Sequence, residues 1–196
     1  MKKKIISFIC ATLLSSSLYA DNNVYLGLQY GVDLSHFGIE DHYGDKDNFS
    51  DSGDAVKAVL GLDLSDNYYL QVYYERTKFS NEDLKLVTEN QVQNEFGLEW
   101  IKKDKIANNL YPFVKLGIGI ANMKLNNQIT ANKDISALSL TLGAGIDVKT
   151  TDKLTLFVGL DYNYKEWEKF HDALYTYEFE TSQNSIKPYI GLNLKF

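Results

Sequence analysis

From residue 24 onward, apolar and polar side chains alternate with a period of two. Val24, Leu26, Leu28, Tyr30, Val32 and Leu34 are interleaved with Tyr25, Gly27, Gln29, Gly31 and Asp33. A period of two is the signature of a strand with two different faces. Eight such segments can be read, near 24–35, 55–64, 68–78, 90–102, 110–122, 137–148, 154–165 and 185–196. Each is about 10 to 13 residues long, whereas strands in soluble sheets usually run to about 5–6. A tilted strand that crosses a bilayer needs about 9–11. Beyond residue 20 no apolar run approaches the length of a membrane-spanning helix, about 18 residues or more. The alternation therefore predicts an all-β fold, an eight-stranded antiparallel transmembrane up-and-down barrel.

The connections between segments support that arrangement. Three are short: Ser65-Asp66-Asn67, 103–109 and 149–153. Four are long: 36–54, 79–89, 123–136 and 166–184. Short turns at one end and long loops at the other fit an outer-membrane barrel, with both termini on the periplasmic side.

The composition of the two faces says which one meets lipid. The apolar face is built from residues such as Leu60, Leu62, Val72, Leu98, Leu116, Ile118, Leu140, Leu142, Val158 and Leu160. Arg76, at the outer end of the third segment, is the one charge expected on it. A cation at the bilayer midplane costs about 2–4 kcal/mol, and almost nothing near the interface. The opposite face mixes glycine with charge: Asp33, Lys57, Asp63, Glu75, Glu95, Glu99, Lys115, Asp147, Asp161, Lys187 and Lys195. Seven segments carry a glycine flanked by apolar residues, centred on Gly27, Gly61, Gly97, Gly117, Gly143, Gly159 and Gly191. Exposed to water, those glycines would weaken the strands for nothing. Turned into an eight-stranded lumen, which is just wide enough for side chains to fill, they make room for large neighbours. Lipid is therefore expected outside and the charged face inside.

Aromatic residues make up 13% of the chain, with 14 Tyr against 2 Trp. Tyr68, Trp100, Tyr111 and Phe196 are expected at the periplasmic interface, and Tyr30, Tyr74, Phe79, Tyr162, Tyr164 and Trp167 at the outer one. An apolar ring with a polar tip is favoured at headgroup level. Pro188 falls inside the last segment, where a bulge or local irregularity is expected.

The first twenty residues have the anatomy of a cleaved secretory signal. Lys2, Lys3 and Lys4 precede an apolar run, and Ala20 offers a small residue at the cleavage point. Cleavage there leaves 196 − 20 = 176 residues and removes the single Cys. The remaining charge is (20 − 3) − 26 = −9. An acidic chain is a poor nucleic-acid binder, and one Cys supports neither a disulfide framework nor a Cys-based zinc site.

The last segment ends Pro188-Tyr189-Ile190-Gly191-Leu192-Asn193-Leu194-Lys195-Phe196. A terminal aromatic with Leu194, Leu192 and Ile190 stepping back by two resembles the C-terminal signal of small outer-membrane barrels of the OmpA/OmpX type. Those barrels form part of the broad outer membrane protein beta-barrel domain family. The resemblance covers 21–196. It implies location in the cell outer membrane, contact with outer-membrane lipid and lipopolysaccharide, and reading of Ile190, Leu192, Leu194 and Phe196 by the barrel-assembly machinery. It implies a monomer with no further periplasmic domain. It is specific for fold and says little about activity, since the family spans structural proteins, adhesins, small pores and lipid-modifying enzymes.

Seven interior acids against four lysines suggest either a mutually paired plug or a narrow, mildly cation-preferring path. The long loops are acidic: Glu40, Asp41, Asp45, Asp47, Asp51 and Asp54 in the first, and Glu166, Glu168, Asp172, Glu178 and Glu180 in the last. Such a rim could meet a basic partner or bridge to lipopolysaccharide through divalent cations. Asp45–Asp51 starts like a calcium loop, but Ser50 stands where the Gly belongs and no Glu closes it. His36, His42 and His171 all fall in long loops, two of them beside acids, with no convincing Ser partner. Gly117-Ile118-Gly119 and Gly143-Ala144-Gly145 lack a third Gly opening a helix, so they are not phosphate loops. No catalytic residue, metal or cofactor is expected. The role expected is non-enzymatic, in membrane integrity or surface interaction through the long acidic loops, with a narrow diffusion channel as the alternative and a membrane enzyme acting at the lipid rim as a more distant one.

Overall fold

The computed structural model describes residues 24–41, 43, 46–65, 67–79, 91–124, 134–171 and 178–196. The expected signal, 1–20, lies outside the described residues, as do His42, Asp45 and Asp172. Eight strands follow in chain order: β1 (Val24–Asp41), β2 (Lys46–Ser65), β3 (Tyr68–Phe79), β4 (Val92–Lys103), β5 (Leu110–Lys124), β6 (Asp134–Lys149), β7 (Leu154–His171) and β8 (Glu178–Lys195). Each pairs antiparallel with its sequence neighbours, and β8 closes on β1. Over the span common to all eight strands closure removes every sheet edge, the condition for a sheet to stand in hydrocarbon.

The register fixes the size. Hydrogen-bonded partners run from Leu28 through Ala58, Tyr74, Phe96, Ile120, Leu138, Glu166 and Ser182 and return to β1 at Gly38, ten residues further on. Eight strands with that stagger tilt by about 40° and enclose a radius of about 8 Å. From Val24 to Leu34, ten residue rises at that tilt span about 25 Å, the height of an apolar barrel band.

Even-numbered side chains face outward and odd-numbered ones inward, except beyond the bulge in β7, where Phe170 turns inward and Lys169 outward. Leu28, Leu116, Ile118, Leu142 and Val158 are all more than half exposed, while Asp33, Glu99 and Lys165 have no exposed surface. Inward glycines receive rings from adjacent strands. A methyl group on Gly61 would enter the Tyr25 ring, and one on Gly191 would enter the Phe157 ring. On Gly97 it would meet the Tyr73 ring at 2.6 Å.

Several expectations need correction. The outward face carries Lys78 and Lys102 at strand ends as well as Arg76. Phe79 and Trp167 are buried inside rather than placed at the outer interface, because their odd numbers put them on the lumenal face. Most of 36–54 and 166–184 is strand: β1, β2, β7 and β8 run to 18–20 residues. Glu40, Asp47, Asp51, Asp54, Glu166, Glu168, Glu178 and Glu180 thus stand on a projecting sheet wall instead of in loops. At Pro188 the expected irregularity does occur, as a gap in the ladder and not as a bulge. The β1–β8 ladder lapses between Gly31↔Tyr189 and Leu34↔Ile186 and resumes in the same register, since proline lacks the donor needed there. Bulges occur instead at Asp63/Ser65 and Trp167/Phe170.

Candidate functional site

The lumen gathers one charged network from all eight strands. Period two carries Asp33 (β1), Lys57 (β2), Glu75 (β3), Glu95 and Glu99 (β4), Lys115 (β5), Asp161 (β7) and Lys187 (β8) to the inner face, with Ser139 of β6 joining them. Lys57 is the hub: its Nζ lies 3.0 Å from Glu99, 3.2 Å from Glu75 and 3.8 Å from Asp161. Lys115 sits 2.8 Å from Asp161 and 3.4 Å from Glu99. Lys187 joins Glu75 to Asp33, which is 3.3 Å away. Polar side chains complete the shell. Gln71 donates to Glu99 and accepts from the Tyr25 hydroxyl at 2.8 Å. Rings cover the ammonium groups, with Tyr73 4.5 Å from Lys57 and Tyr189 4.6 Å from Lys115.

Glu95 forms a second centre. Tyr73 and Ser139 donate to it at 2.5 and 2.8 Å, and Lys165 pairs with it at 3.1 Å. Lys165 was not among the expected interior charges, although it continues the odd-numbered series of Asp161 and Asn163. Lys103 was missed likewise: it pairs with Asp147 at 2.6 Å. Lys195 and Asp63 pair at 2.9 Å near the periplasmic mouth, apart from the central network. With Lys103 and Lys165 included, and Asp51, which is also buried, the lumen sets eight acids against six lysines, and the acid excess narrows from three to two.

The lumen narrows from the periplasmic side. A vestibule of about 280 Å³ lies between Tyr25, Tyr69, Tyr111, Lys103 and Asp147. Deeper, a pocket of about 20 Å³ lies between Gln71, Lys115, Phe113, Phe157 and Tyr189, room for about one water. Above the charges two apolar clusters line the outer end. Phe37 stacks on Phe49 at 4.8 Å and meets Phe79 edge-on at 5.8 Å. Across the barrel, Ala121, Met123, Ile135, Ala137, Trp167 and Phe170 form one buried cluster against Phe179.

On the outer face a tyrosine layer marks the interface. Tyr30 donates to Asp54 at 2.6 Å, Tyr74 to Asn94 at 2.7 Å and Tyr162 to Asn184 at 2.6 Å. Each ring lies in the apolar band while its hydroxyl reaches the polar ring above. At the other end Tyr68 stacks on Trp100 at 5.5 Å. Ile190, Leu192, Leu194 and Phe196 are exposed on the lipid side, and the Phe196 amide donates to Val24 at 3.0 Å.

Two histidines fall on the projecting wall. The His36 Nδ1 is 3.1 Å from the Ser50 hydroxyl, and His171 is 3.6 Å from Glu178. Ser50 is a partner the sequence did not reveal, because it comes opposite His36 only through the β1–β2 register. The pair is solvent-exposed, and no third group orients the imidazole among the described residues. No cluster of three or more metal-ligating side chains occurs among them either.

A closed antiparallel barrel with an apolar outer belt, tyrosines at its upper edge and a polar filled interior is an outer-membrane β-barrel of the small eight-stranded kind. The sequence matches the family described as Outer membrane protein beta-barrel domain over residues 6–196, and the chain belongs to that family. Its place is the bacterial outer membrane, amid lipid and lipopolysaccharide. Among solved structures it is similar to OprG of Pseudomonas aeruginosa, with 12% identity over 89% of this chain and 96% of that one and a TM-score of 0.58. It is also similar to Neisserial surface protein A, with 17% identity, 86% and 97% coverage and a TM-score of 0.51. The outer membrane protease OmpT of Escherichia coli follows with 9% identity, 89% and 97% coverage and a TM-score of 0.50. At such identities the likeness is one of fold. No curated protein matches the sequence.

Proposed function

We propose that this protein is a non-conducting, non-enzymatic barrel that anchors an acidic surface above the outer membrane. The observation that carries this reading is the packed lumen: paired charges from every wall, a pocket of only about 20 Å³ beside Lys115, and buried apolar clusters at the outer end. A conducting path would need a continuous column of water through that section. With the interior committed to packing, surface interaction falls to the projecting wall of β1, β2, β7 and β8, where Glu40, Asp54, Glu166, Glu168 and Glu180 offer carboxylates to a basic partner. In this reading residues 1–20 direct export and are cleaved. The barrel works as a monomer, and Ile190, Leu192, Leu194 and Phe196 present the last strand to the assembly machinery.

The test is single-channel recording on refolded protein in planar bilayers, with Lys115→Ala alongside. Silence from demonstrably folded wild type is the expected result. Discrete, reproducible steps that change in the variant would replace this reading with a diffusion channel.

A further inference from the structure

Outward-facing charge above the apolar band is split by sector. β3, β4 and β5 present Arg76, Lys78 and Lys124 there and no outward acid. The remaining wall presents Asp134, Glu166, Glu168, Glu178, Glu180, Glu40 and Asp54 against two lysines, Lys46 paired with Glu40 and Lys169 with Glu178 and Glu180. The three cations are neighbours. Arg76 lies opposite Asn94, which lies opposite Asn122, while Lys78 lies opposite Val92 in the next row. Lys124 follows Asn122 on the same face of β5, so all three ring Val92 and Asn94. All are exposed, and none has an ion-pair partner among the described residues. The nearest acids are occupied or set apart. Asp54, opposite Lys78, accepts from Tyr30, and Asp134, opposite Lys124, forms no pair with it within 4.0 Å.

Height decides what these cations meet. Directly beneath them on the same strands come Tyr74, Phe96 and Ile120, the top of the lipid-facing band. The Tyr74 hydroxyl, bonded to Asn94, marks the interface. The patch therefore stands in the headgroup layer of the outer leaflet, with acyl chains against the wall below it. Cations at that depth are attracted to anionic headgroups, and each contributes about fivefold in affinity near a charged surface. We propose that Arg76, Lys78 and Lys124 form a docking face for the phosphate groups of an outer-leaflet glycolipid of the lipid A type. Its sugar would lie over Asn94 and Asn122, and its chains along Phe96 and Ile120. The acidic sector opposite repels the same lipid, so the barrel binds it on one side only. The inference rests on the outer-membrane placement and not on the closed lumen, so a conducting barrel would leave it standing.

The probe is bisphosphorylated lipid A, titrated into neutral phosphatidylcholine nanodiscs holding the refolded barrel, with adducts counted by native mass spectrometry. Dephosphorylated lipid A and inorganic phosphate serve as the two controls. Wild type is expected to retain the bisphosphorylated lipid in preference to the dephosphorylated one. The R76A/K78A/K124A variant is expected to lose on the order of a hundredfold in affinity, and R76K/K78R/K124R to keep it. Since all three side chains are exposed, folding is checked by heat-modifiable gel migration, and the charge-keeping variant serves if the alanine variant does not fold. Equal binding of the dephosphorylated lipid, undiminished binding by the alanine variant, loss of binding in the charge-keeping variant, or displacement by inorganic phosphate would each overturn the proposal.

Discussion

Removing the lumenal hub measures whether the interior is dry. In Lys57→Met a cation 4% exposed at its side chain, within 4 Å of three carboxylates, is replaced by a flexible apolar chain of similar length. Little cavity forms, so the effect is electrostatic rather than steric. If the lumen is as closed as its packing indicates, Glu75, Glu99 and Asp161 keep their burial and lose part of their neutralisation. Breaking a buried pair costs about 3–5 kcal/mol. Lys115 and Lys187 already touch the same acids, which places the value near the lower end, about 3 kcal/mol. If the lumen instead held a column of water, the pairs would behave as exposed ones and the cost would be at most about 1 kcal/mol. The assay is urea unfolding of the barrel refolded in phosphocholine micelles, followed by tryptophan fluorescence and cold-gel migration. With a slope of about 2 kcal/mol per M, the dry lumen predicts a fall in midpoint of roughly 1.5 M, and the wet lumen no more than about 0.5 M. K57M/E99Q should recover part of the loss, because it removes one of the stranded charges. A small shift at unchanged slope would falsify the dry-lumen reasoning and, with it, the closed-barrel proposal.

Gly61→Leu places a side chain where the Tyr25 ring now lies. It should lower the urea midpoint by the equivalent of about 1–3 kcal/mol, as overpacking does, whereas Ser65→Ala at the strand end should leave it unchanged. Phe196→Ala should slow insertion catalysed by purified assembly machinery in proteoliposomes while barely moving the midpoint of protein already folded, because the ring is 54% exposed on the lipid side. Equal slowing of unassisted insertion would count against a recognition role. A fluorophosphonate probe should leave the folded protein unlabelled, because the His36–Ser50 contact lacks an orienting third group among the described residues. Labelling that disappears in Ser50→Ala would establish an activated serine.

Period two made the strands, their count and the lipid-facing side legible, because membrane immersion enforces a strict contrast between faces. Above the bilayer that contrast ends. Around Asp47–Ser52 and Glu178–Asn184 both faces are polar apart from Phe49 and Phe179, so strand continues while the pattern that reveals it stops. Glu40 and Glu180 were therefore read as loop residues. Face follows from parity, and two errors came from neglecting it. Trp167 and Phe79 were placed by their chemistry at the interface, yet their odd numbers turn them inward. Lys165 and Lys103 share that parity, and stepping by two from Asp161 or Ile101 would have found them. The pairings themselves lay beyond the sequence. That Lys187 reaches Glu75, 112 positions away, depends on a ten-residue stagger carried around eight registers.

The charged interior also answers a constraint that acts before the barrel exists. Lipid requires the outward face to be apolar. Had the inward face been apolar too, each strand would be a run of hydrophobic residues, and eight of them would favour aggregation or retention as helices before reaching the outer membrane. Alternating Lys, Asp, Glu and Gly with Leu and Val holds mean hydropathy at −0.28, so the unfolded chain stays soluble in transit and shows its amphipathic pattern only on pairing. A lumenal ion network is then the folded counterpart of a transport requirement, and charges buried this deeply need partners in close contact. Interior charge alone is therefore no argument for conduction. Pairing is what the closed-barrel proposal requires of the lumen, and Lys57, Lys115, Lys165 and Lys187 are each paired with a carboxylate.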